Sequence, residues 1–109
     1  MEQKSYLIED IVYDQLIHDF EEFFTPNFKF SNKQDTTTVL IIEKYYFRIN
    51  SNLTITLIFN RNNNYSVEVH IITSGGKLGL LGLTWGSEKS ALNKIINFFE
   101  NYDPLKWRI

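Results

Sequence analysis

The chain has 109 residues, of which 43% are hydrophobic and 22% charged, with a net charge of −2 and no Cys. That is the size of one domain, so residues 1–109 are read as a single unit. The apolar fraction excludes a disordered chain, the missing Cys excludes a disulfide or zinc–cysteine scaffold, and the charge argues against nucleic-acid binding.

Aromatics reach 16%, and thirteen Ile and eleven Asn stand against one Ala. Codon bias in an AT-rich genome accounts for this pattern. Large side chains also help a short chain build a core, because each buried aromatic removes about 150–250 Å² from water. Met1 is followed by Glu2, Gln3, Lys4 and Ser5 rather than by an apolar run. With no secretory leader and no stretch of roughly 20 apolar residues, a cytosolic protein without a membrane partner is expected.

Tyr6 to Ile8 opens with a short strand. Val12, Leu16, Ile17, Phe20 and Phe24 then line one helix face, which predicts a helix over 11–24. Asp10 is its expected N-cap, and Pro26 lies just past its end. Phe28 and Phe30 alternate with polar neighbours as a short strand. Three strands follow. Val39, Ile41, Tyr45, Phe47 and Ile49 share a face of the first. Leu53, Ile55, Leu57 and Phe59 share a face of the second, and Tyr65, Val67, Val69 and Ile71 a face of the third. The Asn-rich turns between them suit an antiparallel meander, since Asn tolerates left-handed turn conformations.

Leu78 to Thr84 allows one more strand, interrupted by Gly79 and Gly82. A last helix is expected from about Ser87 to Tyr102, with Ala91, Leu92, Ile95, Ile96, Phe98, Phe99 and Tyr102 as its apolar stripe. Asp103-Pro104 ends it. These elements make an α+β two-layer sandwich: a meander sheet with an N-terminal and a C-terminal helix on one face, like a reduced helix-grip fold.

All five Gly fall between Gly75 and Gly86. The segment is neither a P-loop, because Leu78 stands where Ser or Thr is needed, nor a dinucleotide fingerprint. It suits a bent, bulged strand under the last helix. The alternative is an anion site at that helix's N-terminus, built from Ser74, Gly75, Gly76, Lys77, Trp85 and Gly86. A third reading is an apolar partner loop of Leu78, Leu80, Leu81 and Leu83. The Ser74-Gly75-Gly76, Gly79 and Trp85-Gly86-Ser87-Glu88 pattern resembles a family of small uncharacterised bacterial proteins. That resemblance implies the helix–meander–helix fold and assigns no activity.

Residues 1–25 hold seven acids and one base, and residues 26–109 hold six acids and ten bases. Asp10, Asp14, His18, Glu21 and Glu22 share the outer face of the first helix, either as a solvated face or as a docking surface for a basic partner. His18 alone does not make a metal site, and no metal or cofactor is expected. His70 and Glu68 share a polar strand face, with Lys44, Tyr46 and Arg48 as candidate neighbours from other strands, as an acid/base cluster or as cross-strand ion pairing. No Ser has a nucleophile-elbow frame, so no enzyme is expected. The second sheet face is assigned Leu40, Ile42, Tyr46, Ile58 and Ile72, more apolar than a face left to water. Either another part of this chain covers it or a protein partner does, and the expected cover is a partner, most simply a second copy.

These features predict a small non-catalytic binding protein acting through protein–protein contact, such as an inhibitor, an immunity-type protein with a defence or phage role, or an adaptor. The partner-binding candidates are Asp10, Asp14, Glu21, Leu40, Ile42, Tyr46, Ile58 and Ile72. The alternative is a small-molecule carrier or sensor, with its pocket between the sheet and the C-terminal helix. That reading fails if Phe98, Phe99, Tyr45, Phe47 and Phe59 fill the inter-layer space, and a cavity of roughly 300 Å³ or more favours it.

Overall fold

A computed structural model describes residues 2–46, 51–75 and 86–102. Five strands and two helices follow in the order β1 (Glu2–Glu9), α1 (Tyr13–Phe23), β2 (Phe28–Ser31), β3 (Thr37–Tyr46), β4 (Ser51–Asn63), β5 (Ser66–Gly75) and α2 (Gly86–Glu100). The strands form one antiparallel sheet in the spatial order β1-β5-β4-β3-β2. Strands β2 to β5 form the expected meander, and β1 closes the far edge beside β5. The fold is the α+β sandwich that the periodicities predict.

Both helices pack on one sheet face. Leu16, Ile17 and Phe20 of α1 and Leu92, Ile95, Phe98 and Phe99 of α2 share one buried cluster with Leu53, Ile55, Leu57, Phe59, Val67, Val69 and Ile71. Its centre is aromatic. The Phe20 ring meets Phe59, Phe98 and Phe99 with centroids 5.5–5.8 Å apart. Rings at such spacings gain quadrupole attraction beyond the area they bury. Asp19 is buried as well, accepting hydrogen bonds from Tyr102 Oη at 2.5 Å and Gln15 Nε2 at 2.6 Å. It ties α1 to the chain just past α2.

Three expectations need correction. Asp10 is not the N-cap: Val12 holds that position without a side-chain cap bond. Asp10 instead turns the chain out of β1 with a φ of 58°, a conformation that Asp tolerates better than most residues. Tyr65 lies in the β4–β5 turn rather than on the strand face, where Asn63 Oδ1 accepts its backbone N–H at 2.9 Å.

The third correction concerns β3, which is turned over. Leu40 and Ile42 point into the core, with 0% and 4% exposure, while Val39, Ile41 and Tyr45 face away from the helices. Residues 39–42 are all large and apolar, so alternation alone does not fix which set faces inward. Pairing with β4 does: Leu40 sits opposite Leu57 and Ile42 opposite Ile55. A one-residue slip exchanges the two faces. Leu40 and Ile42 are therefore core residues and not partner contacts. Phe47, and the strand expected over Leu78 to Thr84, lie outside the described residues.

Candidate functional site

The sheet face away from the helices has no covering element among the described residues. The register places on it Phe28 and Phe30 from β2, Val39, Ile41 and Tyr45 from β3, Ile58 from β4, Ile72 from β5 and Leu7 from β1. Phe28 and Phe30 stand opposite Ile41 and Val39, and remain 57% and 56% exposed. Tyr45 and Leu7 are also more than half exposed. Ile58 and Ile72 lie where the sequence reading placed them, half-buried by their neighbours. The side chain of Tyr46 is outside the described residues.

Charge divides between the two faces. The four cations on the described strands are Lys4, Lys29, Lys44 and Arg61. Each stands opposite an inward residue: Ile71, Leu40, Leu53 and Val67. They ring the helix side of the sheet. The open face carries no Lys or Arg among the described strand residues, but does carry Glu43 and Glu68. Such a surface repels a phosphate backbone, which draws its binding energy from Lys and Arg.

Toward its β1–β5 edge the open face becomes polar. Ser5 Oγ lies 2.7 Å from His70 Nδ1, and His70 Nε2 lies 2.6 Å from Glu68 Oε1. An ionised carboxylate only accepts, so Nε2 carries a proton toward Glu68, and in the tautomer protonated there alone Nδ1 accepts from the Ser5 hydroxyl. Gln3 Nε2 sits 3.4 Å from the same Nδ1. A hydroxyl, a base and an orienting acid in one chain is the arrangement of an activated nucleophile. Here it lies on an uncovered sheet surface, with Ser5 mid-strand and in register with His70. The same bonds also fasten the edge strand β1 to β5. Lys44 is on the opposite face and does not join His70, while Arg48 is outside the described residues.

The acidic candidates sit elsewhere. Asp14 and Glu21 belong to α1, across the sheet from the open face, and Asp10 lies in the turn before it. The acids and the apolar face do not form one surface. Glu21 is answered locally by Lys29 Nζ at 2.8 Å, and Glu22 pairs with His18 at 2.9 Å. Two acids at a helix C-terminus oppose the helix dipole, and Lys29 offsets one of them. Among the described residues no group of three acidic, His or Cys side chains converges as a metal site.

Of the glycine-segment candidates, Ser74 is the last residue but one of β5, in register with Thr54 on the open face. Gly75 has a φ of 81°, and a Cβ there would overlap the Asn52 carbonyl oxygen. This glycine is required by the close approach of β4. Gly86 begins α2. Gly76, Lys77 and Trp85 lie outside the described residues.

Sequence reasoning missed Ser5, Leu7, Phe28 and Phe30 as members of the open face. Alternation in β2 was visible, but only the β2–β3 register shows which side its Phe residues occupy. Ser5 needed the pairing of β1 with β5, between residues 65 positions apart.

No helix among the described residues is long and apolar enough to cross a membrane. A family model described as a family of unknown function, DUF6054, matches residues 6–103, and the chain belongs to that family. No curated protein and no solved structure matches the chain.

Proposed function

We propose that this member of DUF6054 is a small cytosolic, non-catalytic binding protein that works through protein–protein contact. Its contact surface is the open sheet face, and the occupant is a second copy of the chain. The observation that carries this reading is the half-exposed pair Phe28 and Phe30 beside Ile41 and Val39, with Tyr45 further along β3, on a face without Lys or Arg among its described residues. Contiguous exposed apolar patches of this kind mark contact sites on soluble proteins.

Area supports the choice of occupant. Strands of 8, 4, 10, 13 and 10 residues, about 4.8 Å apart and rising about 3.3 Å per residue, present on the order of 700 Å². A standard interface takes about 800 Å² from each partner. Two such faces pack as aligned sheets about 10 Å apart, with apolar halves together and the Ser5–His70–Glu68 edges outward. An inhibitor, immunity-type or adaptor role needs no more than such a surface.

Light scattering over a concentration series tests the reading. A dimer that becomes a monomer in the Phe28→Ser, Phe30→Ser variant, with an unchanged circular dichroism spectrum, supports it. A native chain that stays monomeric at high micromolar concentration overturns the second-copy occupant. Covalent labelling of Ser5 by a fluorophosphonate overturns the non-catalytic part.

A further inference from the structure

The two edges of the sheet differ. Strand β2 ends one edge with four residues, and β1 ends the other with eight. All of β1 pairs with β5 in one unbroken register, from Glu2 opposite Thr73 to Glu9 opposite Ser66. Every second residue of an edge strand directs its N–H and C=O away from the sheet. Folded proteins blunt such edges with proline, bulges, short strands or lysines. Strand β1 has no proline and no bulge, and its single cation, Lys4, is held by Glu100 at 3.4 Å on the helix side. No strand lies beyond β1 among the described residues.

The chemistry of this edge selects its occupant. Outward N–H and C=O groups at strand spacing are met in register by another extended backbone. Side chains then choose among extended segments. Leu7 is 52% exposed on the open-face side of β1, opposite Glu68, and an aliphatic residue beside it would cover it. Glu9 and Asp10, at the end of the strand, are exposed and have no basic partner among the described residues. A cation facing Glu9 makes a cross-strand pair of opposite charge. A second copy fits this edge poorly. Tyr6 Oη donates to Glu100 at 3.0 Å, so the end of α2 stands over β1. Antiparallel pairing of two β1 strands keeps both helix layers on one side of the joined sheet and drives two Glu100 carboxylates toward each other. A strand without a helix layer meets no such charge.

We propose that β1 is the docking edge for an extended peptide segment of another protein. The segment adds antiparallel as a sixth strand, with an aliphatic residue against Leu7 and, two positions nearer its N-terminus, a Lys or Arg against Glu9. Strand addition of this kind draws affinity from the main chain and specificity from alternate side chains. The edge lies across the sheet from Phe28 and Phe30, so this site and the open-face contact can fail independently.

The probe is the peptide acetyl-Lys-Thr-Val-Val-Thr-Gln-amide, whose Lys faces Glu9 and whose first Val faces Leu7 in that register. It is titrated into the full chain while backbone amide shifts and amide exchange are followed. Saturable shifts centred on β1 are expected, with slower exchange of its outward amides. Replacing the peptide's Lys by Glu is expected to weaken binding roughly threefold. The Glu9→Lys variant, changed at an exposed position, is expected to reverse that preference. The Phe28→Ser, Phe30→Ser variant is expected to bind the probe as the native chain does. Shifts centred on β2, no saturable binding by about 5 mM peptide, a preference for Lys that survives in Glu9→Lys, or loss of binding in the Phe28→Ser, Phe30→Ser variant overturns the proposal. Outward β1 amides that already exchange slowly in the free chain also overturn it, by showing the edge covered from within. Shifts confined to β1 on diluting the chain alone overturn it too, and assign the edge to a second copy.

Discussion

Phe20 of α1 stacks on Phe99 of α2, with ring centroids 5.5 Å apart and 15° between the ring planes. Phe98 meets the same Phe20 ring edge-on at 82°. The two helices are thus joined through aromatic contacts over the middle of the sheet, and the space between layers there is occupied by protein. Open volume next to the core is left at the end of α1, beside Lys44.

Phe99→Ala is expected to cost about 3–5 kcal/mol of stability, the range for an aromatic removed from a packed core. Urea unfolding measures it. The loss appears as a lower midpoint with a similar slope if the denatured state is unchanged. A cost below about 1 kcal/mol would mean that the helices do not depend on this stack.

Asp19 and Tyr102 give a second test of how the helices are held. The Tyr102 hydroxyl donates to a carboxylate that is 3% exposed. Hydrogen bonds to charged groups contribute roughly 1.5–3 kcal/mol. Tyr102→Phe is expected to lose that amount in urea unfolding while keeping the ring packed against Phe98, 5.2 Å away. Asp19→Asn is expected to cost less, because its amide oxygen still accepts from Tyr102.

These two contacts show where sequence reading stops. The stripes of both helices, the inward sets of β4 and β5 and the element order follow from periodicity, since burial imposes a period of 3.6 on a helix and 2 on a strand. Asp19 was counted with the acids of the first helix, because an isolated carboxylate in a sequence carries no sign of the hydroxyl 83 positions away that makes its burial tolerable. Leu40 and Ile42 were put on the wrong face because their strand is apolar on both sides. Lys44 was grouped with His70 for the same reason, and the register puts it on the helix side instead.

Tyr13 predicts a pH dependence. Burial pushes its hydroxyl above the usual value near 10, the charges of Asp35 and Asp14 add to this, and the Thr38 hydrogen bond and Arg61 oppose it. The fold therefore favours the protonated phenol. That stabilisation is complete below the unfolded value of about 10 and is lost as pH rises through the higher folded value. Unfolding free energy is expected to fall on the alkaline side of pH 10. Tyr6 is raised too, first by burial, so Tyr13→Phe should flatten that slope without removing it. Urea midpoints from pH 8 to 11 check this, and an identical slope in the variant would contradict it.

Gly75 tests a structural role for the start of the glycine segment. Its φ of 81° and its approach to the Asn52 carbonyl oxygen leave no room for a side chain. An L-residue pays about 1–2 kcal/mol for the left-handed region alone, and the overlap forces β4 and β5 apart at the pair Leu53–Gly75. Gly75→Ala is expected to lose roughly 2 kcal/mol or more in urea unfolding. A variant of native stability would show that the strands part there without cost.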